Sequence, residues 1–229
     1  MSLRARIAKK IPQNILNNFL LSFPSLYKTK FINFESYLDK KAILDLINGI
    51  NDTKDLTGNI IECGCARCGT SVILASFLKS NHIRKKFFAL DSFSGFEKNE
   101  LKNEKSQGFT DSSSTDFTYN SYDYVVKKIT KLGLSDILIP VKGYFQKTLP
   151  KINSNFCMSF IDCDLSESVK YVAETIWPRL SSKGMLFFDD YVSENFKGVK
   201  LTVDGFVEQH KNQIERCEAS GRLYYIKKI

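Results

Sequence analysis

The sequence predicts an α/β fold: a doubly wound, mostly parallel seven-stranded sheet with an antiparallel C-terminal hairpin and an N-terminal helical cap. Three observations predict it. Short apolar runs alternate with stretches of helical periodicity along most of the chain. The runs are apolar throughout rather than alternating, as strands covered on both faces are. The last two strand-like segments are separated only by Ala219-Ser220-Gly221, which suits a hairpin.

Residues 1–57 read as the cap. An apolar helix is expected near Asn14–Leu21, and a second over Glu35–Ile50 with Leu38, Ala42, Ile43, Leu46 and Ile47 on one face. Residues 58–229 follow as one domain, compact with the cap. Ile60 and Ile61 mark the first strand, and a helix opens after Gly69 and ends near Ser80. Lys86–Asp91 is the second strand. The polar stretch Ser92–Thr118 is too long for a simple connection and suggests a mobile lid. Tyr119–Leu132 has helical spacing, Ile137–Val141 is strand three, and Tyr144–Pro150 is a turn or a single helical turn. Cys157–Asp162, helix Glu167–Leu180, Gly184–Asp189 and helix Val199–His210 continue the alternation. Gln213–Glu218 and Arg222–Lys227 form the hairpin.

The loop after strand one carries the first chemical signal. Glu62 closes the strand, Gly64 and Gly69 follow, and a helix begins at Thr70 and Ser71. Glycine admits φ > 0 and close approach of the backbone to a ligand. The dinucleotide fingerprint needs a third glycine, and the phosphate-binding P-loop needs a lysine where Thr70 stands. What remains, E-x-G-x-x-x-x-G, suits a cofactor with amino-acid and ribose groups but no phosphate, such as S-adenosylmethionine. Cys63, Cys65 and Cys68 are three thiols crowded at a strand end. They fall short of a four-ligand zinc site, and packing beneath the loop is the plainer reading.

Size and composition narrow the classes further. With 229 residues, 43% hydrophobic and 25% charged, the chain is an ordinary globular domain. Its six cysteines do not make a secreted disulfide framework, and a reducing cytoplasm is the simpler inference. No run approaches the roughly 20 apolar residues needed to span a bilayer. Arg4, Arg6, Lys9 and Lys10 precede an amphipathic stretch at Ile15, Leu16, Phe19 and Leu20. That stretch could touch a membrane surface, but packing on its own domain or in a homodimer is the commoner fate of such a face. The net charge of +8 is spread out rather than gathered with aromatics, which argues against nucleic acid.

Four strands end in acids: Glu62, Asp91, Asp162 and Asp189, the last followed by Asp190. In a doubly wound sheet these carboxyl ends share one rim, where ligands bind. Close carboxylates repel unless something neutralises them. Glu62 and Asp91 belong to the cofactor half, with Asp91 in a position to bind ribose hydroxyls. Asp162, Asp189 and Asp190 make a hard oxygen site suited to Mg²⁺. Helix capping is the competing explanation for Asp162 and Asp189.

The motifs Glu62–Ser71, Leu90–Phe96, Lys142–Pro150, Phe160–Ser168 and Phe188–Tyr191 occur in this order. Together, from about Gly58 to Gly205, they resemble the macrocin O-methyltransferase (TylF/MycF) family of class I enzymes that methylate sugar hydroxyls. The resemblance implies S-adenosylmethionine bound by Glu62, Gly64, Gly69 and Thr70, by Asp91-Ser92-Phe93, and by Gly143 and Phe145 on the adenine side. It also implies Mg²⁺ on Asp162, Asp189 and Asp190 and a small sugar-like or diol acceptor. Ser166 stands where the family usually has tyrosine, and Lys147 where an acid is usual; both departures concern the acceptor more than the cofactor. For general base, Asp162 leads over Lys142, since His82 and His210 read as surface residues. A metal-free methyltransferase of RNA or protein, or a non-catalytic scaffold, are the competing classes.

Overall fold

The computed structural model describes Ser22 and residues 35–229. The helix expected near Asn14–Leu21 and the basic residues before it lie outside the described residues, so only part of the proposed cap can be placed. That part, α1 (Lys40–Thr53), is a layer of the domain itself. Asp39 caps it by accepting the Ala42 N–H at 2.8 Å, and Ala42, Leu46 and Ile50 pack into the core. Gly49 lets the helix close on the sheet: a Cβ there would meet the Phe187 ring at 2.6 Å.

The alternation then runs as the sequence predicts, with shifts of a few residues at the ends. The strands are β1 (Asn59–Cys63), β2 (Phe87–Asp91), β3 (Leu138–Lys142), β4 (Phe156–Ile161), β5 (Leu180–Phe188), β6 (Ile214–Ser220) and β7 (Leu223–Lys228). Between them lie α2 (Gly69–Ser80), α3 (Lys98–Ser106), α4 (Tyr122–Lys131), the single turn α5 (Phe145–Thr148), α6 (Ser166–Ile176) and α7 (Lys197–His210). Helix α6 stops four residues short of the expected Leu180, because Pro178 forces a 3₁₀ turn at Trp177–Arg179.

The polar stretch Ser92–Thr118 is the main correction to the expected elements. It is not a bare loop but carries α3, whose N-terminus is capped by Glu97 accepting the Asn99 and Glu100 N–H groups at 2.8 Å each. Its composition hid the helix, since only Leu101 supplies an apolar contact to the core. The face turned inward is instead acidic, with Glu100 and Glu104 buried.

The sheet order is β3-β2-β1-β4-β5-β7-β6, with β7 antiparallel to β5 and β6 antiparallel to β7. The order reverses between β1 and β4, which is the switch point where a crevice opens. Register keeps the strand ends level there. The Asp162 N–H donates to Cys63 O at 2.8 Å, Asp189 N–H to Ile161 O at 2.9 Å, and Gly64 N–H to Leu90 O at 2.8 Å. Two apolar clusters cover the faces of the sheet, one under α1, α2 and α4, the other under α6 and α7.

Candidate active site

A cavity of about 850 Å³ opens over the carboxyl ends of the strands. Gly64, Ala66, Asp91, Ser92 and Phe145 line it. So do Asp162, Asp164, Asp189, Asp190 and Arg222. Four of its non-glycine lining residues have left-handed backbone: Ala66, Phe117, Asp164 and Asp190, with φ between 46° and 62°. Such conformations cost energy and persist where the surroundings impose them, typically at ligand sites.

The predicted cofactor residues divide into those that face the cavity and those that shape it. Gly64 has φ +97°, and a Cβ on it would fall inside van der Waals contact of the Asp162 carbonyl oxygen, so glycine is what lets β1 and β4 part at the switch point. Asp91 accepts the Phe93 N–H at 2.7 Å on one oxygen and the Ala66 N–H at 2.8 Å on the other. One carboxylate thus fixes both the glycine loop and the segment after β2. Burial raises the Asp91 pKa to about 6 despite these two donors.

Glu62, Gly69, Thr70, Phe93 and Gly143 do not line the cavity. Glu62 lies fully beneath the loop, where Ser71 Oγ donates to it, and burial raises its pKa to about 8. Gly69 packs against the backbone of Glu35, and Thr70 Oγ1 shares a 2.8 Å hydrogen bond with Ser36 Oγ. Phe93 is buried edge-on to Tyr122, with ring centroids 5.3 Å apart. Gly143 takes φ +138°, a backbone angle for glycine, at the exit of β3. The cysteines Cys63, Cys65 and Cys68 are buried, and Cys68 Sγ donates to Cys65 Sγ at 3.3 Å.

The acid group differs from the expected one at a single position. Among the described residues, Asp162, Asp164 and Asp190 each bring one carboxylate oxygen within 4.8 Å of the others. Asp189 is not in this group, because Arg222 takes both its oxygens: Nε donates to Oδ1 at 2.6 Å and Nη2 donates to Oδ2. The second acid of Asp162-Cys-Asp164, just past the end of β4, was the available signal for Asp164. No local signal marked Arg222, which arrives from the β6–β7 turn. Burial, then the charges of neighbouring aspartates, push Asp162 and Asp164 well above the usual carboxylate range. The same causes raise Asp190 to about 6. Such a set of hard oxygens, mutually repelling and only partly compensated, fits a divalent cation.

Neither histidine reaches the cavity. His82 is exposed. His210, expected at the surface, is partly buried: it packs 4.5 Å from the Phe206 ring and pairs with Glu174 at 3.2 Å.

Comparison with known proteins decides the family. The macrocin-O-methyltransferase (TylF) family model matches residues 40–224. The chain belongs to this family. It is a class I S-adenosylmethionine-dependent O-methyltransferase by that membership, and solved structures agree on its fold. The O-methyltransferase NovP superposes with a TM-score of 0.70 at 16% identity, over 95% of this chain and 99% of that one. CalS11, described as a TDP-rhamnose 3'-O-methyltransferase of calicheamicin biosynthesis, gives 0.57 at 13% identity, with 95% of each chain covered. PaMTH1 of Podospora anserina, solved with S-adenosylhomocysteine, gives 0.60 at 14% identity, over 98% and 93% of the two chains. No curated protein matches at a significant level. Among the described residues, no helix of this methyltransferase is long and apolar enough to cross a membrane.

Proposed function

We propose that this methyltransferase transfers a methyl group to a hydroxyl of a sugar or similar small polyhydroxylated acceptor, with Mg²⁺ held by Asp162, Asp164 and Asp190. The observation that carries the reading is the convergence of those three carboxylates in the same cavity as Gly64 and Asp91.

S-adenosylmethionine supplies the electrophilic methyl group and bound Mg²⁺ the polarisation that acidifies an acceptor hydroxyl. The chain's own residues do the rest. Gly64, Asp91, Ser92 and Phe145 define the cofactor side, and the Asp91 carboxylate holds two loop N–H groups so that the side is formed in advance. Asp162 is assigned the proton of the acceptor hydroxyl. Phe96 packs edge-on against Phe117 at 5.3 Å and Phe196 at 6.3 Å, and all three line the cavity, as apolar faces for a sugar ring.

The charge of the cavity speaks to the acceptor class. Among the described residues, ten carboxylate side chains line it against one arginine, although the whole chain carries +8. Close like charges disfavour an anionic acceptor, so RNA and nucleotide-linked sugars fit poorly and an uncharged glycoside fits well.

Calorimetric titration of S-adenosylhomocysteine tests the cofactor half, and turnover of a panel of neutral glycosides and catechols with and without EDTA tests the rest. Saturable one-to-one binding and EDTA-sensitive methylation are expected. Turnover that survives EDTA would remove the metal from the mechanism.

A further inference from the structure

The glycine loop holds two thiols that methyl transfer does not use. Cys65 and Cys68 stand in C-x-x-C spacing between Gly64 and Gly69, and Cys68 Sγ donates to Cys65 Sγ at 3.3 Å. Both are buried, and neither is in a disulfide. The Cys68 N–H donates to the Cys65 carbonyl at 2.6 Å, closing a four-residue turn. Such a turn keeps its end Cα atoms within about 7 Å, which overlaps the roughly 4.4–6.8 Å that a disulfide spans. Cys68 also heads α2 with left-handed backbone, φ 55° and ψ 39°, where glycine is the default residue. A side chain there carries a conformational cost, and its thiol is what meets Cys65.

We propose that Cys65 and Cys68 form a reversible dithiol–disulfide switch that sets how tightly the glycine loop holds S-adenosylmethionine. The inference rests on the cofactor reading and not on the metal. The oxidant is a low-molecular-weight disulfide of the glutathione class. The thiolate of one cysteine attacks it, forming a mixed disulfide and releasing one small thiol. The other cysteine then displaces the second small thiol and closes the bridge. The protein pair loses two electrons and two protons, and the small disulfide gains both as two thiols. Burial, then contact with Cys68, holds the Cys65 thiol well above its ordinary range, so it stays protonated and slow to react while the loop is closed.

Bridging draws the sulfurs together from 3.3 Å to about 2.05 Å. The ends of the turn are anchored. The Gly64 and Cys65 N–H groups both donate to the Leu90 carbonyl, at 2.8 and 3.2 Å, and the Cys68 carbonyl accepts the Val72 N–H at 3.1 Å. Ala66 and Arg67 between them take up the change. Ala66 lines the cavity, and its N–H is one of the two donors on Asp91. Oxidation therefore loosens the hold of Asp91 on the loop and weakens cofactor binding.

The test is calorimetric titration of S-adenosylhomocysteine into the full chain, either reduced with dithiothreitol or equilibrated with mixtures of reduced and oxidised glutathione. Trypsin cuts after Arg67, between the two cysteines, so the bridge is read as a link between the peptide ending at Arg67 and the one starting at Cys68. Affinity is expected to fall by about tenfold on oxidation, the scale of one lost hydrogen bond, and to return on reduction. Coupling is reciprocal, so saturating S-adenosylhomocysteine should move the glutathione ratio at half-oxidation by the same factor toward oxidising conditions. Cys65→Ser, which keeps Cys63 in the first peptide, should lose the link. Cys65→Ser and Cys68→Ser should each bind equally in reducing and oxidising buffer, with melting to establish that they are folded. Failure to form the bridge, a bridged protein of unchanged affinity, or a serine variant that keeps the redox dependence would overturn the switch while leaving the cofactor in place. Absence of S-adenosylhomocysteine binding to the folded, reduced chain would remove the cofactor reading and this proposal with it.

Discussion

Arg67 Nε donates to Glu35 Oε1 at 2.6 Å, joining the segment before α1 to the glycine loop through a buried ion pair. The same carboxylate accepts Lys128 Nζ at 2.7 Å and Tyr124 Oη at 2.8 Å, so loop, α4 and the N-terminal segment meet on one side chain. Both partners of the Arg67 pair are 5% exposed. A buried pair is weak evidence of net stabilisation, but removing one partner leaves uncompensated charge. Glu35→Ala should therefore lower stability by about 3–5 kcal/mol. Denaturant unfolding measures this, and a loss under about 1 kcal/mol would mean that water replaces the carboxylate without penalty.

The same network predicts a pH dependence. Burial alone would raise the Glu35 pKa, but the charges of Lys128 and Arg67 outweigh it and hold it below its ordinary value of 4.5. A carboxyl lowered on folding adds stability that is fully present above its unfolded pKa and is lost as pH falls through its folded one. Wild-type melting temperature should accordingly fall from pH 5 downward, and Glu35→Gln should flatten that slope. An unchanged slope in the glutamine variant would assign the acid sensitivity to other groups.

Asp162→Asn, Asp164→Asn and Asp190→Asn should each lower Mg²⁺ affinity by about tenfold or more, as loss of one ligand of three implies. S-adenosylhomocysteine binding should stay within about threefold, since Asp91, and none of these three side chains, holds the Ala66 and Phe93 N–H groups of the two loops. Paired titrations of metal and cofactor product check this. Equal loss of both would show that the aspartates support the fold of the site rather than a metal.

Two glycines with positive φ separate strain from crowding. Gly108 has φ +69° and open space within 4 Å of where a methyl group would sit, so Gly108→Ala should cost only about 1–2 kcal/mol of left-handed strain. Gly64 shares the positive φ but faces the Asp162 carbonyl at the switch point. Gly64→Ala should cost more than about 3 kcal/mol and abolish S-adenosylhomocysteine binding. Comparable unfolding midpoints for the two variants would mean that β1 and β4 can spread apart freely.

Helix α3 should hold the start of α6 in place. Glu100 accepts the Ser168 N–H at 2.5 Å and its hydroxyl at 2.8 Å, and Glu104 accepts the Ser166 N–H at 2.9 Å. These acids act as caps supplied from another helix, and Leu165 at the start of α6 has no cap of its own. Glu100→Ala should cost about 1–2 kcal/mol and speed proteolysis between β2 and α4. Unchanged cleavage kinetics would detach α3 from the stability of α6.

The fold was legible because its signals are local. Apolar runs such as Phe156–Ile161 and amphipathic ones such as Lys40–Thr53 carry their periodicity within a single element. The acids closing four strands follow from the same pattern, since a doubly wound sheet levels its carboxyl ends. Gly64 was legible too, because a turn that only glycine accommodates is written in one residue. What the tertiary structure decided lies in contacts between residues far apart in the chain. Asp189 reads like its neighbour Asp190, and only the hairpin turn that delivers Arg222, 33 residues later, gives Asp189 a guanidinium on both oxygens. Helix α3 buries acids against backbone donors of another helix, so its sequence has no apolar stripe to reveal it. Glu62 stands at a strand end like Asp91, but Ser71 and the loop above it close it off from the cavity while Asp91 stays open to it. Periodicity records which face of an element is buried. It does not record which charge another element will bring to that face.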